Sequence, residues 1–208
     1  MARKSSKKPP EVLTVLVADA VTMWEKLAWD VDQYQDIQRS HPTERQPLAF
    51  AAINVCIAAW SLEQWAKTAW IQKERLKTER ETDSTFYSIV RQHVPSQGIC
   101  VDIANTAKHA RHRDDSWKGG AVRLEWQDGD EDAPPTFLLI HVHASGAESI
   151  LAYNTFEEVR NHWWTCLVAL GLATGPQYSP EFLQNKLRRI FGDRTYDLPD
   201  GATPVADG

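Results

Sequence analysis

The spacing of apolar residues over the first 110 positions restricts the fold of this chain more than any other feature, because it repeats with a helical period. From Leu13 to Tyr34, apolar side chains recur at alternating intervals of four and three residues. This stripe predicts one long amphipathic helix over about residues 11–38. His41 precedes a proline and is thereby disfavoured from the helical region, so the helix should end there.

A second helix is predicted around the almost unbroken apolar run of residues 48–60 and should extend to about residue 81. A helix that is apolar on nearly all sides is expected at the centre of a bundle, with Ile53 in the core. Asn54, Ser61 and Gln64 form the polar line along it, and each of these side chains would need a partner if buried.

After Gly120 the apolar period changes from helical to alternating, and Asp-Gly, Pro-Pro and Ser-Gly pairs separate the short runs. The predicted fold is therefore mainly α, a helical bundle with a small inserted antiparallel β-meander at about residues 121–153. The predicted strands are residues 121–126, 136–143 and 149–153. A third helix is predicted after a cap at Asp83 or Ser84, and a fourth over residues 97–113. The capping-box pattern over residues 154–157 predicts the start of a fifth helix that ends near Gly175. A last helix is predicted from Pro180, at its first position, to Phe191.

A chain of 208 residues can bury one good core but hardly two. We expect a disordered basic tail over residues 1–10, a single helical domain with its β insertion over residues 11–193, and a flexible tail over residues 194–208.

Composition excludes several classes of function. The net charge of −5 argues against a protein that coats nucleic acid, although a local basic patch is compatible with it. The three cysteines have no paired spacing, which predicts buried thiols and neither a metal site nor a disulfide framework. We expect no cofactor, since no glycine-rich phosphate loop and no metal signature is evident. We also expect no membrane contact and a cytoplasmic location, since no signal peptide and no apolar run long enough to cross a bilayer is evident.

The stretch from Ile99 to Arg113 concentrates side chains that handle protons and phosphates. At about 100° per residue, Asp102, Asn105, His109 and Arg113 fall within an arc of about 80°, while Ile99, Cys100, Ile103, Ala107 and Ala110 gather on the opposite side. These four polar residues are the predicted catalytic group, centred on the His109 imidazole. Lys108, Arg111 and Lys118 add a local basic patch around this helix, which is compatible with nucleic-acid binding. The alternative is a face that is simply solvated.

Two weaker patterns remain open. His141 and His143 alternate on one strand and could share a metal ion, although exposed strand histidines explain them as well. Arg160 and His162 precede two tryptophans, Trp163 and Trp164, which could form an aromatic platform for single-stranded RNA or simply pack in the core.

Three of these features together resemble a known family. The long first helix, the Ala-Trp-Ser-Leu-Glu-Gln-Trp segment at 59–65 and the Asp102-x-x-Asn105-x-x-Lys108-His109 helix followed by a small strand unit are similar to bacterial proteins with a HEPN-like helical bundle. The resemblance covers residues 11 to about 175.

The resemblance implies a dimeric helical bundle and, in many members, a metal-independent endoribonuclease in phage defence, toxin–antitoxin systems or RNA processing. Catalytic members carry an Arg and a His separated by four to six residues, and no arginine stands at that distance before His109 or His112. Two hypotheses therefore stay open. One is an RNA-cleaving or RNA-binding homodimer; the other is a non-catalytic helical module that partners a protein from the same operon. The tryptophans at 60, 65 and 70, with the first helix stripe, are the predicted self-association surface.

Overall fold

A computed structural model describes residues 16–73, 79–109 and 121–192, except for the side chains of residues 79–82, 109 and 143. The described residues form a mainly helical structure with one small antiparallel sheet, which confirms the predicted fold class. The elements in chain order are α1 (Ala20–Ser40), α2 (Arg45–Lys73), α3 (Glu79–His93), α4 (Gln97–His109), β1 (Ala121–Gln127), β2 (Thr136–His143), β3 (Gly146–Leu151), α5 (Ala152–Ala169) and α6 (Glu181–Phe191).

Helix α2 is the centre of the bundle, as its sequence predicts, because it contacts α1, α3, α4 and α5. Leu48, Val55, Ala59 and Leu62 are fully buried on it. Ile53 is only half-buried, so the prediction that it lies in the core is wrong. The buried face of α2 does not include this position. Periodicity could not fix that face, since apolar residues surround this helix on nearly every side.

The sheet has the strand order β1-β2-β3, with antiparallel pairing at both seams. Strand β2 spans the same residues that the alternating pattern predicts, and it contacts α5. Phe137 and Leu139 on β2 belong to the main hydrophobic core, which also contains Phe156 from α5. The sheet is therefore packed onto the bundle through its middle strand.

Helix α1 begins later than the heptad pattern predicts. Asp19 caps it: Asp19 Oδ1 accepts a hydrogen bond from the Thr22 backbone N at 2.8 Å, and Thr22 Oγ1 accepts one from the Asp19 backbone N at 3.1 Å. Residues 16–19 are not helical, and residues 11–15 lie outside the described part of the chain. A reciprocal cap fixes a helix start more strongly than a continuing apolar stripe does.

Other helix ends also differ from the prediction. Asp83 lies inside α3, where it pairs with Lys67 of α2 at 2.8 Å, so it does not cap the helix. Helix α5 starts at Ala152, directly after β3, so the predicted capping box at Asn154 is wrong, and α5 ends at Ala169. Pro180 is the N-cap residue of α6 and not its first helical residue, and Gly192, with a left-handed φ of 79°, is the C-cap residue after Phe191.

The chain divides after Gly175 into two compact units. The first contains α1 to α5 and the sheet, and the second contains α6. Among the described residues, α2 alone is long and apolar enough to cross a membrane by length and composition. Half of its most apolar window is buried inside the protein, and since the core helix of a soluble protein passes the same test, one such helix is weak evidence for a membrane span.

Candidate functional site

Helix α4 carries the residues that the sequence singles out. Asp102, Asn105 and Lys108 are described with their side chains, and His109 is the last residue of the helix with only its backbone described. Arg111, Arg113 and Lys118 lie outside the described residues. The predicted meeting of an imidazole and a guanidinium therefore stays a prediction.

Asp102 is buried, with 4% of its surface exposed, whereas the helical wheel places it on a polar outer face. Ile99, Cys100, Ile103 and Ala104 are buried with it, and Ala107 is exposed although the wheel assigns it to the apolar side. The reason is that α4 contacts α2 and also β1, so more than one side of the helix is covered.

The exposed end of α4 begins at Thr106 and contains no acidic residue. Lys108 Nζ lies 3.4 Å from the centroid of the Trp60 ring on α2, which is a close cation–π contact. Partial burial lowers the pKa of Lys108 from its ordinary value. Asn105, one turn before Lys108, is half-buried. The described part of the predicted site is thus a lysine held on a tryptophan.

A second polar cluster lies in the core, and sequence reasoning missed it. Glu63 on α2 is 3% exposed, and Gln97 at the start of α4 is fully buried. Gln97 Nε2 donates to Glu63 Oε2 at 3.1 Å and to the Ala59 carbonyl at 3.0 Å. Trp163 Nε1 of α5 donates to Gln97 Oε1 at 2.8 Å. We call Glu63, Gln97 and Trp163 the core triad; it joins α2, α4 and α5 through satisfied hydrogen bonds.

The electrostatics of Glu63 follow from its burial. Loss of solvation raises its pKa from the usual 4.5 to about 7, against the lowering effects of the Gln97 hydrogen bond and of the Lys67 and Arg91 charges. Burial, with a smaller contribution from Glu63, raises the pKa of the Cys166 thiol to about 12. The same buried surroundings therefore disfavour the anionic forms of both Glu63 and Cys166.

A signal for Glu63 was present in the sequence. It lies four residues after Ala59 and three before Ala66, and both alanines are fully buried. Helical spacing therefore puts all three on one face. The predicted polar line of Asn54, Ser61 and Gln64 lies elsewhere: Asn54 is exposed and the other two are half-buried.

The remaining sequence candidates pack in the core or lie outside the description. His141 is buried, so the expectation of an exposed strand histidine is wrong for it, and the side chain of His143 is not described. Trp163 and Trp164 are both buried; Trp164 packs on Trp24 with ring centroids 4.7 Å apart. They therefore offer no open platform to a base.

All three cysteines, Cys56, Cys100 and Cys166, are buried free thiols, as expected. Among the described residues, no group of three or more His, Cys, Asp or Glu side chains could hold a metal ion.

Comparisons of this chain with protein-family models, with curated proteins and with solved structures found no match.

Proposed function

We propose that this protein binds single-stranded RNA through the exposed end of α4 and the adjoining face of α2. The observation that carries the proposal is the position of Lys108, whose Nζ lies 3.4 Å from the Trp60 ring centroid. The ring holds the lysine ammonium at the exposed end of α4, where it can contact a phosphate, and positioned cations near aromatic rings are a common feature of single-strand binding sites.

The charge around Lys108 supports an anionic ligand. Asp102, the acidic residue of α4, is buried, so the solvent side of this helix end carries no carboxylate. His109 follows at once, and the sequence continues with Arg111, Arg113 and Lys118. With Asp114 and Asp115 in the same stretch, residues 108–118 carry a net charge of +2, against −5 for the whole chain, and this local excess of positive charge favours a polyanion at this part of the chain.

A matched pair of lysine variants tests binding. Lys108→Ala removes the cation on Trp60, and Lys26→Ala removes another lysine, which pairs with Asp30 on α1. Fluorescence anisotropy with a labelled unstructured oligoribonucleotide should show weaker binding for Lys108→Ala, roughly 2- to 10-fold for one lost contact to a charged group, and wild-type binding for Lys26→Ala. Equal affinities for all three proteins would contradict the proposal.

The HEPN-like interpretation extends this proposal to cleavage. His109 would exchange a proton with the attacking 2′-hydroxyl or the leaving oxygen, Arg111 or Arg113 would hold the phosphate, and Asn105 would orient the groups. The burial of Asp102 limits it to a supporting role.

The cleavage assay incubates wild type and His109→Ala with structured and unstructured RNA in excess EDTA. Loss of a general acid–base group should lower the rate by about 10²–10⁴-fold. Equal cleavage by both proteins, or by neither, would reject His109 as a catalytic residue and leave RNA binding as the function. Defence and toxin–antitoxin roles follow from the family resemblance and depend on the same assay.

A second candidate function, a non-catalytic interaction module, is favoured by α6. This helix buries none of its residues, and Ile190 and Phe191 near its end are 60% and 65% exposed. We propose a second copy of the chain as the partner of this apolar end. The earlier candidate surface is less suitable, because Trp24, Leu27 and Val31 of the α1 stripe are fully buried in the core.

Sedimentation tests this alternative. Wild type should sediment as a dimer at micromolar concentration, and Ile190→Asp with Phe191→Asp should sediment as a monomer with an unchanged far-UV spectrum. A wild-type monomer at all concentrations would remove the homodimer, and a protein from the same operon would be the remaining kind of partner.

A further inference from the structure

A cavity of about 470 Å³ opens between residues 18–20, where α1 begins, and one face of α2. The Trp65 ring is half-buried at this cavity, and the polar groups around it come from Asp19, Gln64, Thr68 and Gln72. Its volume is within the range of small-molecule sites, which combine apolar walls with a few polar groups.

Several polar groups of the lining have donor or acceptor positions that are not used within the described residues. Gln64 Nε2 donates to Glu63 Oε1 at 3.3 Å, and the Gln64 amide oxygen accepts no hydrogen bond within the described part of the chain. Gln72 is exposed, and its amide makes no hydrogen bond within the described chain. Asp19 uses Oδ1 to cap α1, which leaves Oδ2 as an acceptor. The lining thus offers a ring face, amide groups and a carboxylate oxygen.

The cavity continues the surface assigned above to RNA. Trp60, Gln64 and Thr68 follow one another at intervals of four residues and therefore share one face of α2. Five residues separate Trp60 from Trp65, which corresponds to a rise of about 7.5 Å and a rotation of about 140° around the helix. A strand held at Lys108 would therefore cross the face of α2 that carries Gln64 and Thr68 before a later nucleotide reaches this cavity.

We infer that the cavity is a binding site for one unpaired nucleobase, an inference that rests on the proposed RNA-binding function. The described lining contains no cation and one carboxylate, so it suits an uncharged base and disfavours a phosphate. The base stacks on Trp65, the Gln64 and Gln72 amides contact its edge, and Asp19 Oδ2 accepts from an exocyclic amine. The site therefore prefers cytosine or adenine, which carry such an amine, over uracil.

Free nucleosides test the site without any phosphate contact. Saturation-transfer NMR of wild-type protein with cytidine, adenosine, uridine and ribose 5-phosphate should show binding of the first two, weaker binding of uridine and none of ribose 5-phosphate. Equal signals from ribose 5-phosphate and the nucleosides would overturn the inference.

Two variants locate the binding. Trp65→Leu should weaken cytidine and adenosine binding about 5- to 150-fold, the usual effect of removing a stacking ring. Gln72→Ala, at an exposed position, should weaken it about 2- to 12-fold and keeps the test valid if Trp65→Leu does not fold. Lys26→Ala is the control and should bind as wild type. Wild-type nucleoside binding by a folded Trp65→Leu, or by Gln72→Ala, would show that the cavity is not the site.

The two proposals fail separately. If nucleosides bind at Trp65 but the oligoribonucleotide does not bind at Lys108, the RNA function is wrong and the base site stands. If the oligoribonucleotide requires Lys108 for binding while Trp65→Leu binds nucleosides as the wild type does, the base site is wrong and the RNA function stands.

Discussion

Glu63 is an acid buried in the core, and the balance between its burial and its hydrogen bonds decides which protonation state the fold prefers. Its two oxygens accept from Gln97 and Gln64, so its polar atoms are satisfied. Burial nevertheless disfavours the ionised form and raises the pKa to about 7. The fold therefore binds a proton at Glu63 more tightly than the unfolded chain does, which makes stability depend on pH.

Because the pKa of Glu63 is raised in the folded state, the protein should lose stability as the pH rises. Since the pKa of Glu63 is higher in the folded state (about 7) than in the unfolded state (4.5), its contribution to stability is complete below pH 4.5 and is lost as the pH rises to about 7. The shift corresponds to a loss on the order of 3 kcal/mol. Glu63→Gln cannot ionise and should lack this part of the decline, as measured by urea denaturation at pH 5, 6, 7 and 8.

The control for this experiment is Glu158→Gln, at an exposed position of α5. It removes one carboxylate without changing a buried group, so its stability curve should run parallel to that of the wild type. Parallel curves for Glu63→Gln and the wild type would show that Glu63 does not titrate across this range.

The burial of single residues could be predicted from the sequence in some cases but not in others. Composition and spacing were sufficient to predict that Cys56, Cys100 and Cys166 are buried, because each lies within an apolar helical pattern. They were not sufficient for Asp102, whose burial depends on β1 approaching α4 from a distant part of the chain. A helical wheel records which residues share a face but not how many faces are covered.

At the scale of elements, α2 owes its central position to one buried face, and that face contains Leu62 and excludes Ile53. Leu62 is fully buried, whereas Ile53 is half-buried. Leu62→Ala should therefore destabilise the protein by about 2–5 kcal/mol, as large-to-small changes in a core do.

Ile53 provides the comparison within the same helix. Ile53→Ala should cost clearly less than Leu62→Ala, and Ile53→Asp should be better tolerated than an aspartate in the core, because its carboxylate can reach water. Urea denaturation midpoints at constant m-value give both differences. A larger cost at Ile53 than at Leu62 would show that α2 is rotated relative to the face described above.

The core triad connects α2, α4 and α5, and its hydrogen bonds hold the start of α4 against the other two helices. Trp163→Phe removes the donor to Gln97 Oε1 and leaves that buried oxygen without a partner. The unsatisfied oxygen should cost about 1–3 kcal/mol, in addition to the lost ring volume. Trp164→Phe is the control for a tryptophan change in general, since its Nε1 donates at 3.3 Å to the Gly175 carbonyl and not to the triad.

Hydrogen exchange separates a local effect from a general loss of stability. Trp163→Phe should increase exchange of the α4 backbone amides more than that of α1, whereas Trp164→Phe should not favour α4. Uniform increases for both variants would mean that the triad stabilises the bundle without positioning α4.

For the molecule as a whole, the order of helices and strands could be predicted from the sequence, while several of their limits could not. The β2 bounds agree with the prediction because alternation and turn residues are local signals. The start of α1 is fixed by the reciprocal cap at Asp19 and Thr22, whereas α5 starts directly after β3 with no side-chain cap. The apolar period therefore predicts the elements, and caps or a preceding strand decide where the helices begin.

The net charge of −5 makes the whole protein repel a polyanion, so binding must come from a local group of cations. The proposed function therefore predicts a steep salt dependence. For a single strand, the slope of log K against log salt concentration is about −0.7 for each phosphate neutralised. Lys108→Ala should make this slope less negative by about 0.7, measured by anisotropy between 50 and 200 mM salt. Trp65→Leu should weaken binding with the slope unchanged, because stacking releases no counterion. A slope that Lys108→Ala leaves unchanged would mean that Lys108 contacts no phosphate, even if the affinity falls.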